Sequence, residues 1–232
     1  MIPIPVIDLA AGQVVHAKGG NRNLYPPLKS QLCSSSKPVE VVAGLLALHP
    51  FTHLYIADLD AITGTGDHLP IINKLHRSFP GLQLWIDAGI HSHADYIQQR
   101  SRLPGTLVLG SETLQDVAQM ATVFDSEDVV LSLDFRHGSA LGSSGIETQP
   151  ELWPRRIICM TLDSVGAGHG PDIEQLRRLQ QISPESTIFA AGGVRNKIDL
   201  ELLHSNDIDG VLLASALHNG NINSTQLRDF SG

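Results

Sequence analysis

The chain has 232 residues, 42% of them hydrophobic, and a formal charge of −8. This length can bury one large core, so a single domain spanning 1–232 is expected. The acidic balance excludes a dominant basic surface for nucleic acid, and any phosphate is expected to be held locally by backbone amides and a few cations.

Met1 to Ile7 is apolar but short, lacks a basic segment and runs into Asp8, so it reads as a first strand and not a signal peptide. Gln13 to His16 reads as a short extension of that strand after a turn at Gly12. A long polar loop follows from Ala17 to Lys37. Its Lys18, Arg22, Tyr25 and Lys29 suit an anionic ligand, and loops of this length in compact domains often act as lids; the alternative is a disordered insertion. Pro38 opens a helix to Leu48, with Val39, Val42, Leu45 and Leu46 on one face. Thr52 to Leu59 reads as a strand ended by Gly64 and Gly66, then a helix from Leu69 to Phe79. Leu82 to Ile86 is a third strand, with Ser92 capping the next helix. Thr106 to Leu109 is a fourth, with a helix from Ser111 to Val123. Val129 to Leu133 is a fifth, followed by a Gly/Ser-rich loop to Pro150 and a short helix near Glu151. Ile157 to Leu162 is a sixth, then Gly166, Gly168 and Gly170, and Pro171 opens a helix to Gln181.

The next stretch, Ile188 to Asn196, is a strand that breaks into Gly192-Gly193 and enters a helix capped by Asn196. Backbone N–H groups left uncovered by glycine, at the positive end of a helix dipole, make an anion seat; the plainer reading is a tight turn. Val211 to Leu213 is an eighth strand, with a last short helix after Ser224. Eight strand–helix units predict an α/β fold, a closed (β/α)8 barrel with a parallel sheet.

The two halves of the chain repeat. Leu84 to Gly89 lies over Ile188 to Gly193, an offset of 104 residues (Gly89 to Gly193), and Gly110-Ser111 lies over Ala214-Ser215 at the same offset. Asp8 lies over Asp134, and Asp58-Leu-Asp60 over Thr161-Leu-Asp163. The expected barrel is therefore built from two similar half-barrels. Asp8 and Asp134 would sit at the C-terminal ends of opposed strands, where barrel active sites lie, and would suit a general acid and a general base. The alternative is that each caps its own loop.

Residues Ile4 to Val15, Tyr55-Ile-Ala-Asp-Leu-Asp-Ala61, Ser132-Leu-Asp134, Ala191-Gly-Gly-Val194 and Gly210 to Leu217 resemble the histidine-biosynthesis barrel family over nearly the whole chain. Its members include the phosphoribosylformimino-AICAR-ribotide isomerase and the cyclase subunit of imidazole glycerol phosphate synthase, and the motifs resemble a divergent subfamily seen in methanogens and methylotrophs. The resemblance implies an isomerase of aldose–ketose type, with a lyase or cyclase as the other chemistry of the family. It implies Asp8 and Asp134 as the acid/base pair. It also implies that Gly192, Gly193, Ala214 and Ser215, with Gly166 and Gly168, hold a phosphate. The expected partner is a small phosphorylated metabolite.

The sequence departs from the family pattern at four places. Met160 stands where members carry a threonine, and Thr161, one residue on, would point to the other face. The three-glycine phosphate turn after strand three is here Asp87-Ala88-Gly89, and a carboxylate there repels phosphate. His16 replaces the usual basic residue, and Val165-Gly166 replaces Asp-Gly. The second anion site, at Gly89, Gly110 and Ser111, is therefore expected to be weaker, and a one-phosphate substrate in another pathway, such as one-carbon cofactor biosynthesis, is the alternative to the histidine-pathway reaction. A phosphate-binding subunit without catalysis is the reading from another class. Thr161, Asp58, Asp87, His16, Lys18, Arg22 and His169 are further candidates for catalysis or substrate contact. His91 and His93 have metal-like spacing with nothing nearby to complete a site, so no metal and no cofactor is expected. Cys33 and Cys159 form no CxxC pair, and no apolar run reaches membrane-spanning length; a cytoplasmic monomer or small homo-oligomer with no membrane or nucleic-acid partner is expected.

Overall fold

The computed structural model describes residues 1–17, 25–124, 126, 128–166 and 168–230. Its frame is a ring of eight parallel strands: β1 (Ile2–Ala10), β3 (His53–Asp58), β4 (Gln83–Asp87), β5 (Thr106–Gly110), β6 (Val129–Arg136), β8 (Arg156–Thr161), β9 (Thr187–Ala191) and β10 (Gly210–Leu213), with β10 pairing back onto β1. Helices alternate with these strands, and the fold is the (β/α)8 barrel that the strand–helix alternation predicts. Two further strands, β2 (Gln13–Val15) and β7 (Ser139–Ala140), pair antiparallel with β1 and β6. They form equivalent hairpins in the two halves. Ala11-Gly12 and His137-Gly138 turn them with positive φ at both positions (47° and 79°, 51° and 74°), the two-residue turn whose twist matches that of the flanking strands.

The period-2 alternation of each strand separates two cores. Ile7, Leu9, Leu54, Ile56, Leu84 and Ile86 face outward beneath the helices. Ile4, Tyr55, Trp85, Val108, Ile158 and Phe189 face inward. Trp85 and Phe189 meet edge to face with centroids 4.8 Å apart, so the interior is a packed plug and not a pore. The last inward residue of several strands lies above that plug, at the C-terminal mouth.

Several connections differ from expectation. The helix expected from Ser111 starts only at Val117 (α5, Val117–Phe124), because Thr113 and Leu114 N–H both donate to Gly110 O and close a turn first. The loop after β6 holds β7 and two short 3₁₀ turns, Ile146–Thr148 and Pro150–Leu152, where one helix was expected. Two one-turn helices were not anticipated: α2 (Leu59–Ile62), directly after β3, and α8 (Ser215–His218), directly after β10. The other helices run close to their expected spans: α1 (Pro38–Leu48), α3 (Leu69–Ser78), α4 (His93–Arg100), α6 (Ile173–Ile182), α7 (Lys197–His204) and α9 (Ser224–Arg228). Ser92 and Asn196 cap α4 and α7 as the sequence suggests. Among the described residues no helix is long and apolar enough to cross a membrane.

The described part of the long loop is tied into the wall. Pro27 bridges Val15, Leu28 N–H donates to Val14 O (2.9 Å), and Gln31 N–H donates to His218 O (2.9 Å). Leu28 itself is buried. Lys18 and Arg22 lie outside the described residues.

Asp58 belongs to this framework and not to the mouth. Its buried carboxylate accepts hydrogen bonds from His68 N–H (2.7 Å), His68 Nδ1 (2.7 Å) and Ala61 N–H (3.2 Å). His68 Nε2 in turn accepts Gly12 N–H (2.9 Å), tying the start of α3 to the β1–β2 turn. Removing one member of a buried, charge-assisted network leaves its partners unsatisfied. Asp58→Ala is expected to cost about 3 kcal/mol, read as a lower urea midpoint with an unchanged slope.

Candidate active site

A cavity of about 280 Å³ opens at the C-terminal ends of the strands. The strand register sets what lines it. On one side Asp8, Ala57 and Asp87 form a row across β1, β3 and β4. On the other, Asp134, Met160, Ala191 and Leu212 form a row across β6, β8, β9 and β10. Asp8 and Asp134 therefore occupy equivalent places in the two halves and line one cavity.

Asp134 is 7% exposed. Its Oδ1 accepts from Ser132 Oγ (2.9 Å), and its Oδ2 accepts from Glu112 N–H (3.0 Å) and Ser111 Oγ (3.3 Å). Ser111 Oγ also accepts Asp134 N–H (2.9 Å). Burial outweighs these donors and pushes the carboxyl up from 3.8 to about 7, with the nearby charges of Asp87 and Glu112 adding to the rise.

Tyr55 stands at the floor of the cavity, 3% exposed, and donates its hydroxyl to Asp87 Oδ2 (3.2 Å). Burial and then the charges of Asp87, Asp134 and Asp8 hold its phenol protonated well beyond the usual range. Sequence reasoning used Tyr55 only as part of a motif. Its inward position and its place beside Asp87 follow from the register of β3 against β4, which no local pattern reveals. Glu112 at the rim and the buried His218 also line the cavity and were not singled out from the sequence. His218 Nδ1 shares a hydrogen bond with Ser30 Oγ (2.9 Å), and burial, with His16 nearby, lowers it to about 4.

The far wall is made of glycines. Gly166, Gly168, Gly192 and Gly193 line it, as do Ala214 and Ser215 at the start of α8. Gly192 and Gly193 have φ of 98° and 86°, and a Cβ at Gly193 would strike Gly170 O. Only glycine fits there. His16 lines the cavity too. Arg195 reaches the same wall, and its guanidinium is gripped by Asp199 at 2.7 and 2.9 Å.

Five of the expected residues lie elsewhere. Thr161 does not line the cavity: β8 runs without a bulge, so Met160 faces inward and Thr161 packs on the outer side. Asp58 is held by His68. His169 is exposed and away from the cavity wall. At the second anion turn, Gly89 N–H donates to Asp87 Oδ1 (3.1 Å), so the protein's own carboxylate takes the amide a phosphate would need. Ser111 is buried and serves Asp134. Of that turn's expected residues Gly110 alone lines the cavity, close to the carboxylates of Asp134 and Asp87.

The sequence profile described as "Histidine biosynthesis protein" matches residues 2–223. An uncharacterized protein of Methanocaldococcus jannaschii is 33% identical over 94% of this chain and 93% of its own length. A protein of Leuconostoc mesenteroides named 1-(5-phosphoribosyl)-5-((5-phosphoribosylamino)methylideneamino) imidazole-4-carboxamide isomerase is 26% identical over 98% of this chain and 99% of its own. The protein of the same name from Halothermothrix orenii is 27% identical over 94% and 95%.

The raised value at Asp134 has a consequence for stability. The folded state binds this proton more tightly than the unfolded chain, whose carboxyl titrates near the ordinary 3.8. The stabilising contribution is fully present below about pH 4 and is lost as pH rises to about 7. Asp134→Asn has no such proton to lose. Its melting temperature relative to the parent is expected to climb between pH 4 and pH 7 and level off above; a constant difference would contradict the assignment.

Proposed function

We propose, since the chain belongs to the histidine biosynthesis protein family, that it is an isomerase acting on a phosphorylated aminoaldose by acid/base catalysis. The observation that carries this reading is the pairing of Asp8 with a protonatable Asp134 at equivalent positions around one cavity. Relatives named as isomerases act, by their names, on a compound with two 5-phosphoribosyl groups.

In this reading Asp134 gives its proton to the ring oxygen of the sugar. The C1–O bond breaks, and the amine lone pair forms a C1=N bond. Asp8 takes the proton from C2, and the electron pair forms a C1=C2 double bond as the iminium nitrogen is neutralised. Tautomerisation of that enolamine gives the aminoketose. The reaction is an internal redox exchange between C1 and C2 and draws on no outside oxidant. The glycine wall, Gly166, Gly168, Gly192 and Gly193 with Ala214 and Ser215, takes the phosphate on backbone amides. Tyr25 and Leu28, in the described part of the 17–37 loop, line the same cavity.

Asp87 distinguishes this chain from a two-phosphate enzyme. Its carboxylate fills the second anion turn, and a phosphate there would meet like charge. The substrate we favour carries one phosphate, at the glycine wall. A phosphate-binding subunit without catalysis is the rival reading, and the retained acid/base pair speaks against it.

Asp8→Asn and Asp134→Asn are each expected to lower kcat by about 10²- to 10⁴-fold while inorganic phosphate still binds. A one-phosphate aminoaldose is expected to turn over with higher kcat/KM than the two-phosphate substrate. Equal turnover of both would reject the one-phosphate reading. Phosphate binding with no turnover of either compound would favour the binding subunit.

A further inference from the structure

Asp87 does more than close an anion turn. It points into the cavity from the end of β4, and Gly110 at the end of β5 stands between it and Asp134. A Cβ placed on Gly110 would lie 3.3 Å from Asp134 Oδ2 and 4.0 Å from Asp87 Oδ2, so the two carboxyl groups flank the same point above Gly110. The two have different surroundings. Asp87 accepts hydrogen bonds from Gly89 N–H at Oδ1 and from Tyr55 O–H at Oδ2. Two donors aimed at separate oxygens suit an anion. Asp134 is 7% exposed, with its oxygens held by Ser132, Ser111 and the Glu112 amide, whereas Asp87 is only half-buried.

We infer that Asp87 is a positioning residue for the proposed reaction: its carboxylate, fixed by Gly89 and Tyr55 and facing Asp134 across Gly110, keeps the single proton of the pair on Asp134, where the reaction consumes it. This rests on the reading of Asp134 as the acid. Two carboxyls facing one cavity raise each other's cost of ionising, and the one farther from water takes the proton: Asp134 is buried, Asp87 only partly so. The other charged or titratable groups around Asp134 are Asp8 on β1, Tyr55 on β3, Glu112 after β5 and, on the outer face of β8, Cys159. Of these, Glu112 is exposed at the rim, and Cys159 carries no charge because burial holds its thiol protonated. Tyr55 is likewise held neutral. Asp8 stands across the cavity, and Asp87 is the charge that acts most on Asp134.

The position also explains an asymmetry between the halves. The residue equivalent to Asp87 is Ala191, which precedes the glycine wall. The half that keeps an alanine keeps an open turn. The half that gained a carboxylate uses its turn amide to anchor a charge of its own.

The test reads the proton directly and needs no substrate. Carboxyl ¹³C NMR of aspartate-labelled protein, with Asp134 assigned from Asp134→Asn, follows its titration. In Asp87→Asn the Asp134 transition is expected to fall by about one pH unit, and in Glu112→Gln by distinctly less. Tyr55→Phe keeps the carboxylate but removes a donor, so the proton is shared and Asp134 is expected to titrate in two steps. A one-step transition at the parental pH in either Asp87→Asn or Tyr55→Phe overturns the inference, as does a larger shift in Glu112→Gln than in Asp87→Asn. Should Asp87→Asn fail to fold, Tyr55→Phe decides alone. Where turnover is measurable, the alkaline limb of kcat in Asp87→Asn is expected to move down with the NMR transition. An NMR shift without any isomerase activity would retain the pairing and reject the catalytic reading.

Discussion

A carboxyl group withdrawn from water is the constraint around which the mouth of this barrel is arranged. Ionised and buried, Asp134 would cost several kcal/mol, and it is tolerated because it carries a proton near neutral pH and because Ser132, Ser111 and the Glu112 amide satisfy its oxygens. Each of these donors is placed by the sheet. Ser132 lies on the same strand, and Ser111 and Glu112 sit in the turn that β5 makes instead of entering a helix at once. The delayed start of α5 is thus part of the site: a helix beginning at Ser111 would have taken these groups into its own first turn.

The same scaffold, used twice, carries two electrostatic personalities. Both halves have a strand ending in aspartate, a two-residue hairpin turn beyond it, and a strand–glycine turn two strands further on. In the C-terminal half the turn is open, lined by glycines whose backbone comes close to Thr161 O and Gly170 O. In the N-terminal half it holds Asp87, tied to Gly89 and Tyr55. The two turns therefore differ in charge, one occupied by a carboxylate and the other lined by glycine backbone.

Framework residues brace the walls of the cavity. Asp58 and His68 pin the β1–β2 turn from below, and Ser30, Gln31 and His218 pin the described part of the long loop from above. This is why Asp58, which shares the motif that carries the family resemblance, does not line the cavity.

The repeat, the alternation of strands and helices, and the glycine pair after β9 are local patterns, and they suffice to specify the barrel and the opposed placement of Asp8 and Asp134. Period-2 side-chain alternation also carried the inference that Met160 faces inward and Thr161 outward, since an unbulged strand leaves no other choice. What the sequence could not convey was which neighbours those faces meet. The crowding of Asp87 and Asp134 at Gly110, the Tyr55 phenol beneath Asp87, the withdrawal of Ser111 to serve Asp134 and the binding of Asp58 by His68 each depend on contacts between residues brought together by register and closure. Chain periodicity fixes the direction of a side chain, but the burial and charge that set its chemistry are sums over neighbours distant in sequence, and only the closed sheet determines those.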